Sequence, residues 1–253
     1  AGFSSIVAWT WPIMLWLLVL TVGVVAGTLG GIIGFGASLI MLPILVATFG
    51  AKAAVPIMIV AALLANISRV LVWWREVDWK ACAVYTVTAL PMAALGARTM
   101  IALDARVVEV ALGGFFLAMI PIRRWLASRG WRIGLWHLSL VGAGIGFLSG
   151  IVASTGPINT PFFLAYGLTK GAFLATEALG SVAVQMTKAT VFHTFGALPW
   201  DHLAQGLVVG ASLMIGSWIA KSFVQRIEPA RFNALIDVLM AIVGVLLLSG
   251  VLT

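Results

Sequence analysis

GTLGGIIGFGASLIMLP, Gly27 to Pro43, is the stretch on which the reading of this chain turns. It is apolar enough to lie in a bilayer, yet Gly27, Gly30, Gly31, Gly34 and Gly36 interrupt it too often for a plain helix. Glycine has no Cβ, so the backbone there can leave helical geometry and other groups can approach it closely. Ser38 stands where an N-cap would restart a helix that runs to about Phe49. The expectation is a helix, a break inside the membrane, and a short second helix. A looser version follows about 120 residues later in SGIVASTGPINTP, Ser149 to Pro161: small and polar, flanked by apolar sequence, and closed by a proline.

The surrounding composition supports a membrane setting. Of 253 residues, 62% are hydrophobic and only 9% charged, where a soluble domain carries roughly a quarter charged. Several apolar runs approach or exceed the roughly 18 to 20 residues that cross a bilayer as helix. The net charge of +7 does not indicate nucleic acid, because the basic residues fall mostly between the apolar runs. Cys82 is the single cysteine, which excludes a disulfide framework, a thiolate metal site and a redox pair. The first residues lack the basic start of a signal peptide, and the chain is expected to begin close to its first span.

Spans are expected near 11–30, 36–49, 52–74, 81–100 and 105–122, then near 134–153, 157–167, 172–195, 202–223 and 231–251. The two sets of five match. Gly23 and Gly27 fall opposite Gly142 and Gly146, Pro43 opposite Pro161, Lys52 opposite Lys170, and Gly96 opposite Gly216. Asn66, Ser68 and Arg69 fall opposite Gln185, Thr187 and Lys188. This reads as an internal duplication, with residues 1–125 as a first repeat, 126–133 as a basic cytoplasmic linker and 134–253 as a second repeat. Lys and Arg accumulate in cytoplasmic loops, and that rule decides the relative orientation. With five crossings per half, ten of the fifteen Lys and Arg residues lie inside and three (Lys52, Arg98, Arg106) outside. Four crossings per half give no such bias, so the second repeat is expected to be inverted. The fold class is therefore an all-α polytopic membrane protein of two inverted repeats, each of about five helical segments with a broken pair near its start.

The two cations left over are Arg69 and Lys188, at equivalent positions within spans. A charge inside a span costs roughly 2.5 to 3.5 kcal/mol on the lenient insertion scale, so such a side chain faces a partner, a wet cavity or, by snorkelling, the interface. Asn66 precedes Arg69 by three residues and Gln185 precedes Lys188 by three, which sets each amide beside its cation on one helix face. Amide and cation together suit an oxyanion. No carboxylate in either half occupies the matching position; Glu177, Glu109 and Asp237 are candidates only for proton coupling. Helices that restart inside the membrane point bare N–H groups at the gap. Gly34, Gly36 and Ser38 in one half and Ser154, Thr155, Gly156, Asn159 and Thr160 in the other are thus expected to contact substrate. Gly23, Gly27, Gly142 and Gly146 read instead as helix-packing positions. His137, His193 and His202 make no metal-ligand spacing, the tryptophans read as an interfacial belt, and no nucleophile has a partnered base.

Taken together, GGIIGFGASLIMLPIL near the N-terminus, its copy ending in GPINTPFFL, and the duplicated halves around an Arg-rich linker resemble the sulfite exporter TauE/SafE family of membrane transporters. The resemblance implies export of a small sulfur-containing anion, sulfite or an organosulfonate such as sulfoacetate, across the bacterial inner membrane. Related thiosulfate-uptake proteins use cysteines, and Cys82 alone does not meet that pattern. No cofactor, metal or nucleic acid is expected; the partners are the anion, the bilayer and, as an allowance, a second copy of the chain in a homodimer. A carrier for another anion, a passive anion channel and a membrane assembly component stand as the alternatives.

Overall fold

The computed structural model describes residues 2–34, 36–128, 130, 132–152 and 155–220, and positions 238, 241, 242, 245, 248 and 249. Among them the chain is helical throughout: α1 (Gly2–Ile33), α2 (Gly36–Phe49), α3 (Ala51–Trp73), α4 (Trp79–Ala102), α5 (Ala105–Ser128), α6 (Leu135–Ile151), α7 (Gly156–Tyr166), α8 (Lys170–Thr194) and α9 (Trp200–Ala220). The six later positions are also helical, and the Arg106 guanidinium at the start of α5 donates to the Leu248 carbonyl among them (3.0 Å). The expected span 231–251, with Asp237, otherwise lies outside the described residues, as do Lys221, Arg226 and Arg231.

Among the described residues, four helical segments are long and apolar enough to cross a membrane: Met14–Ile32, Lys52–Glu76, Trp79–Ala102 and Trp200–Ala220. Large apolar side chains such as Met14, Leu71, Val87, Leu140 and Ile215 stand exposed around the outside, where a bilayer and not water is the compatible solvent. α3 is the central helix. Its apolar window is 67% buried, against 33% to 44% for the other three segments, and Ala54 through Ala62 form the middle of the main core. α8 is not among the four, although it is 25 residues long. It carries Glu177, Gln185 and Lys188, and it is sheltered between α3 and α4. The least apolar long helix is thus held inside.

Small residues set the closest crossings. On α1, a Cβ at Gly23, Gly27 or Gly31 would run into Ser212, the Leu213 backbone or Ser217 and Ala220 of α9. On α6, a Cβ at Gly142, Gly146 or Gly150 would run into the backbone of Tyr85, Ala89 or Ala93 and Ala97 of α4. Glycine every fourth residue lets two backbones touch along one face of each helix. Polar bonds cross the same seams, from Thr88 Oγ1 to the Ser139 carbonyl (2.6 Å) and from Ser217 Oγ to the Gly27 carbonyl (3.3 Å). The packing role expected for Gly23, Gly27, Gly142 and Gly146 is what the helices use them for.

Both expected breaks are present, with one correction. The first restart comes at Gly36, so Ser38 lies inside α2 and is not its N-cap. Gly34 takes φ +100° and turns the chain, and α2 then packs back on α1, with Gly30 against Ala37. The turn is completed by glycine geometry, which leaves no capping task for a serine two residues later. The second break falls between Ile151 and Gly156, with Thr155 as N-cap of α7 and Pro157 in its first turn. α4 begins at Trp79, two residues earlier than expected, because the Asp78 carboxylate caps it by accepting from the Ala81 N–H (3.0 Å). At the middle of the chain α5 continues to Ser128 and so overlaps the start of the 126–133 linker.

Candidate anion site

α3 and α8 pack against each other with both breaks at hand, and a cavity lies where they meet. Its walls are Gly34 and Ser38 from the first break, Thr155, Gly156 and Asn159 from the second, Asn66 and Arg69 from α3, and Glu177, Ser181, Val184 and Gln185 from α8. Tyr85 of α4 and Ser149 of α6 complete it. The space open to water centres is about 40 Å³. One water needs roughly 10 to 15 Å³ on that measure, so the cavity suits a few waters or one small anion.

Arg69 is the centre of its chemistry. Its guanidinium is 8% exposed, and Nη2 lies 3.0 Å from Oε2 of Glu177, which is 2% exposed. The same nitrogen donates to Asn66 Oδ1 one helical turn earlier, as the three-residue spacing implies. Nη1 has no hydrogen-bond partner in the protein and sits beside Gly34, where a side chain would crowd it. A planar guanidinium presents several donors in a fixed fork. One arm is engaged with Asn66 and Glu177; the other is aimed at the first break.

Glu177 gives Arg69 a carboxylate partner although no carboxylate occupies the matching position in either half. Matching positions within each half does not find it, because the partner comes from the opposite half, where α8 runs alongside α3. Its other oxygen, Oε1, accepts from Ser181 Oγ at 2.8 Å. Buried pairs of this kind are held by geometry and extra hydrogen bonds more than by Coulomb attraction, since both ions have lost their hydration.

Lys188 departs from the pattern of Arg69. It is fully buried and does not line the cavity. Its ammonium donates to the Val152 carbonyl (3.2 Å), the C-cap of α6 at the second break. A cation there meets bare helix-end carbonyls and the negative end of the dipole. The amide–cation pairing expected for Gln185 and Lys188 is therefore not formed. Gln185 lines the cavity, and its Oε1 has no protein partner. Thr160 is also off the cavity wall, its hydroxyl donating back to the Gly156 carbonyl (2.9 Å). Gly36 begins α2, and Ser154 lies outside the described residues. Arg69, Asn66, Gln185, Gly34, Ser38, Thr155, Gly156 and Asn159 are brought together.

The lining residues missed were Tyr85, Ser149, Ser181 and Val184, and Glu177 was named only as a candidate for proton coupling. Part of this was within reach. Glu177, Ser181 and Gln185 stand four residues apart, with Lys188 three further, so one face of α8 carries a polar stripe inside an apolar span. Tyr85 had no such signal; its hydroxyl donates to Asn159 Oδ1 (3.0 Å) and orients that amide.

The arrangement can hold a small oxyanion by a charged donor, side-chain amides and the Gly156 N–H at the start of α7; Pro157 has no N–H, and those of Ile158 and Asn159 already donate to the Thr155 carbonyl. In comparison with known proteins, a sequence model of the family described as Sulfite exporter TauE/SafE matches residues 19–247. Neither the curated proteins nor the solved structures returned a match.

Proposed function

The chain belongs to the sulfite exporter TauE/SafE family of membrane transporters, and on that premise we propose that it is a secondary carrier of a small sulfur-containing anion. Sulfite and the sulfonate end of a compound such as sulfoacetate are the substrates that fit, and the bacterial inner membrane is where it would work. The observation that carries this reading is the cavity itself: Arg69 Nη1, a buried donor without a hydrogen-bond partner among the described residues, faces a space bounded by both helix breaks. Asn66, Gln185, Ser38 and Asn159 supply hydrogen bonds; Gly34, Thr155 and Gly156 supply backbone. Lys188 adds its charge from behind, through the helix end it caps.

Alternating access would rock one repeat against the other around this site, the usual behaviour of carriers built from inverted repeats with discontinuous helices. What supports the two-fold reading is an exchange of partners. α1 packs on α9 while α6, its counterpart, packs on α4, and α3 packs on its own counterpart α8. Topology is testable by labelling. With Cys82→Ser as background, a cysteine at Ala197 is expected to react with an impermeant maleimide in intact cells, and one at Ser222 only after lysis. Reaction of the Ser222 variant from outside would refute the inverted arrangement.

The substrate class is tested by thermal unfolding of detergent-purified protein with sulfite, sulfate, sulfoacetate, acetate and chloride at equal ionic strength. A ligand at about 100 times its dissociation constant stabilises by roughly 2.7 kcal/mol. The sulfur oxyanions are expected to raise the midpoint and chloride and acetate are not. Equal shifts for all five would reduce the effect to ionic strength and sink the reading.

A further inference from the structure

We propose that Glu177 is the proton-coupling group of the carrier: it occupies Arg69 in the empty site, and an incoming anion binds together with a proton that neutralises it. The inference rests on the anion site described above and adds to it a rule for occupancy. Arg69 Nη2 meets Glu177 Oε2 at 3.0 Å, and the cavity that would take the anion is lined by both residues. An oxyanion on Arg69 places a second negative charge beside a carboxylate that is 2% exposed. Two like charges sharing one buried site do not both stay ionised, and the one that can take a proton does so. Ser181 lets this happen without a lost contact. Its hydroxyl donates to Oε1 at 2.8 Å in the ion pair, and a hydroxyl that rotates can accept from a protonated carboxyl equally well.

The charged and titratable surroundings of Glu177 single out this pair. α3 presents Arg69, and α4 presents Tyr85, already donating to Asn159, and Cys82. Asp78, the N-cap of α4, reaches α8 by its backbone N–H on Thr176 (2.9 Å). The 3₁₀ turn Trp74–Glu76 brings Glu76 against Gly171, more than a helical turn from Glu177. α6 and α7 face the cavity with Ser149 and Asn159, and carry His137 and Tyr166 at their other ends. On α8 itself Lys188 is turned to the Val152 carbonyl. Among the described residues Arg69 is the one cation in contact with the carboxylate, so whatever displaces it decides the protonation of Glu177. A monovalent anion accompanied in this way crosses without moving net charge.

The sign follows from linkage. Where Glu177 is ionised in the empty site, binding takes up a proton, so affinity is highest at low pH and falls as pH rises. The test uses methanesulfonate, whose own charge is constant, titrated calorimetrically into detergent-purified protein between about pH 5 and pH 8 in buffers of different ionisation heat. The dissociation constant is expected to rise with pH, by up to about tenfold per pH unit where one proton is taken up per anion. Glu177→Gln is expected to bind with no pH dependence and no proton uptake, while Glu76→Gln, which lies off the cavity, keeps the wild-type slope and proton uptake. Wild-type binding that is flat with pH, or takes up no proton, overturns the coupling and leaves the anion site standing. Loss of the slope in Glu76→Gln, or its persistence in Glu177→Gln, also overturns it. If Glu177→Gln does not fold, the wild-type proton count decides. Failure of methanesulfonate, sulfite and sulfoacetate to bind at any pH removes the anion site and this inference together.

Discussion

Arg69→Gln is expected to lose sulfur-anion binding and to lower stability by about 3 to 5 kcal/mol, the range for removing one partner of a buried ion pair. Position alone suggests a milder result, with transport abolished and folding intact, because a lone buried cation contributes little to stability. The structure changes that expectation. Without Arg69, the Glu177 carboxylate is left with only Ser181 as a hydrogen-bond donor, in a site that water reaches poorly. The companion experiment is Arg69→Gln with Glu177→Gln, which removes both charges and is expected to recover most of the stability and none of the binding. Midpoints of thermal unfolding in one detergent, read as a double-mutant cycle, supply the coupling. An Arg69→Gln protein that unfolds within about 1 kcal/mol of wild type, inside the range of exposed ion pairs, would mean that the pair is not sequestered.

Gly150→Val is expected to have an effect of similar size by a different route. A Cβ there meets the Ala93 carbonyl oxygen, the Ala97 nitrogen and the Gly96 carbonyl carbon, all backbone atoms of α4. No flexible side chain can give way, so α6 must move off α4 or the helices must bend. Overpacking of a tight core costs typically 1 to 3 kcal/mol and sometimes more, and a backbone contact belongs at the upper end. Gly144, on the same helix, has nothing within 4 Å of its Cβ position. Gly144→Ala is expected to be neutral or to stabilise by about 0.5 to 1 kcal/mol through helix propensity. The pair is compared by thermal unfolding and by elution profile in detergent. Wild-type behaviour of Gly150→Val would show that the α4–α6 seam has slack that the glycine contacts deny.

α8 is where reading from sequence reached its limit. Its span, its cation and its amide were placed within a few residues, because an apolar run of bilayer length with polar interruptions is a local signal. The weight given to those interruptions was uneven. Glu177 reads from sequence only as a candidate for proton coupling, although it shares a face with Ser181 and Gln185. Lys188 is expected to share the surroundings of Arg69 from its spacing to Gln185. The surroundings differ: Glu177 lies eleven residues before Lys188, whereas the residue eleven before Arg69 is Met58, buried in the core. Arg69 therefore has a carboxylate across the interface, while Lys188 has a carbonyl.

The sequence by itself determined the helical class, the two interruptions, the glycine seams and the presence of two cations inside spans. Each follows from constraints that act within a segment: bilayer thickness sets run length, backbone hydrogen bonding in an apolar medium demands helix, and glycine marks where helices stop or touch. Which polar atoms share the cavity is settled by packing between helices. Arg69 and Glu177 lie more than 100 residues apart, on α3 and α8, and the partner of Lys188 is a main-chain oxygen, which every residue carries and no side-chain pattern announces. Their pairing depends on how α3 and α8 are laid side by side. That placement is set by the sum of packing along both helices and is encoded at no single position.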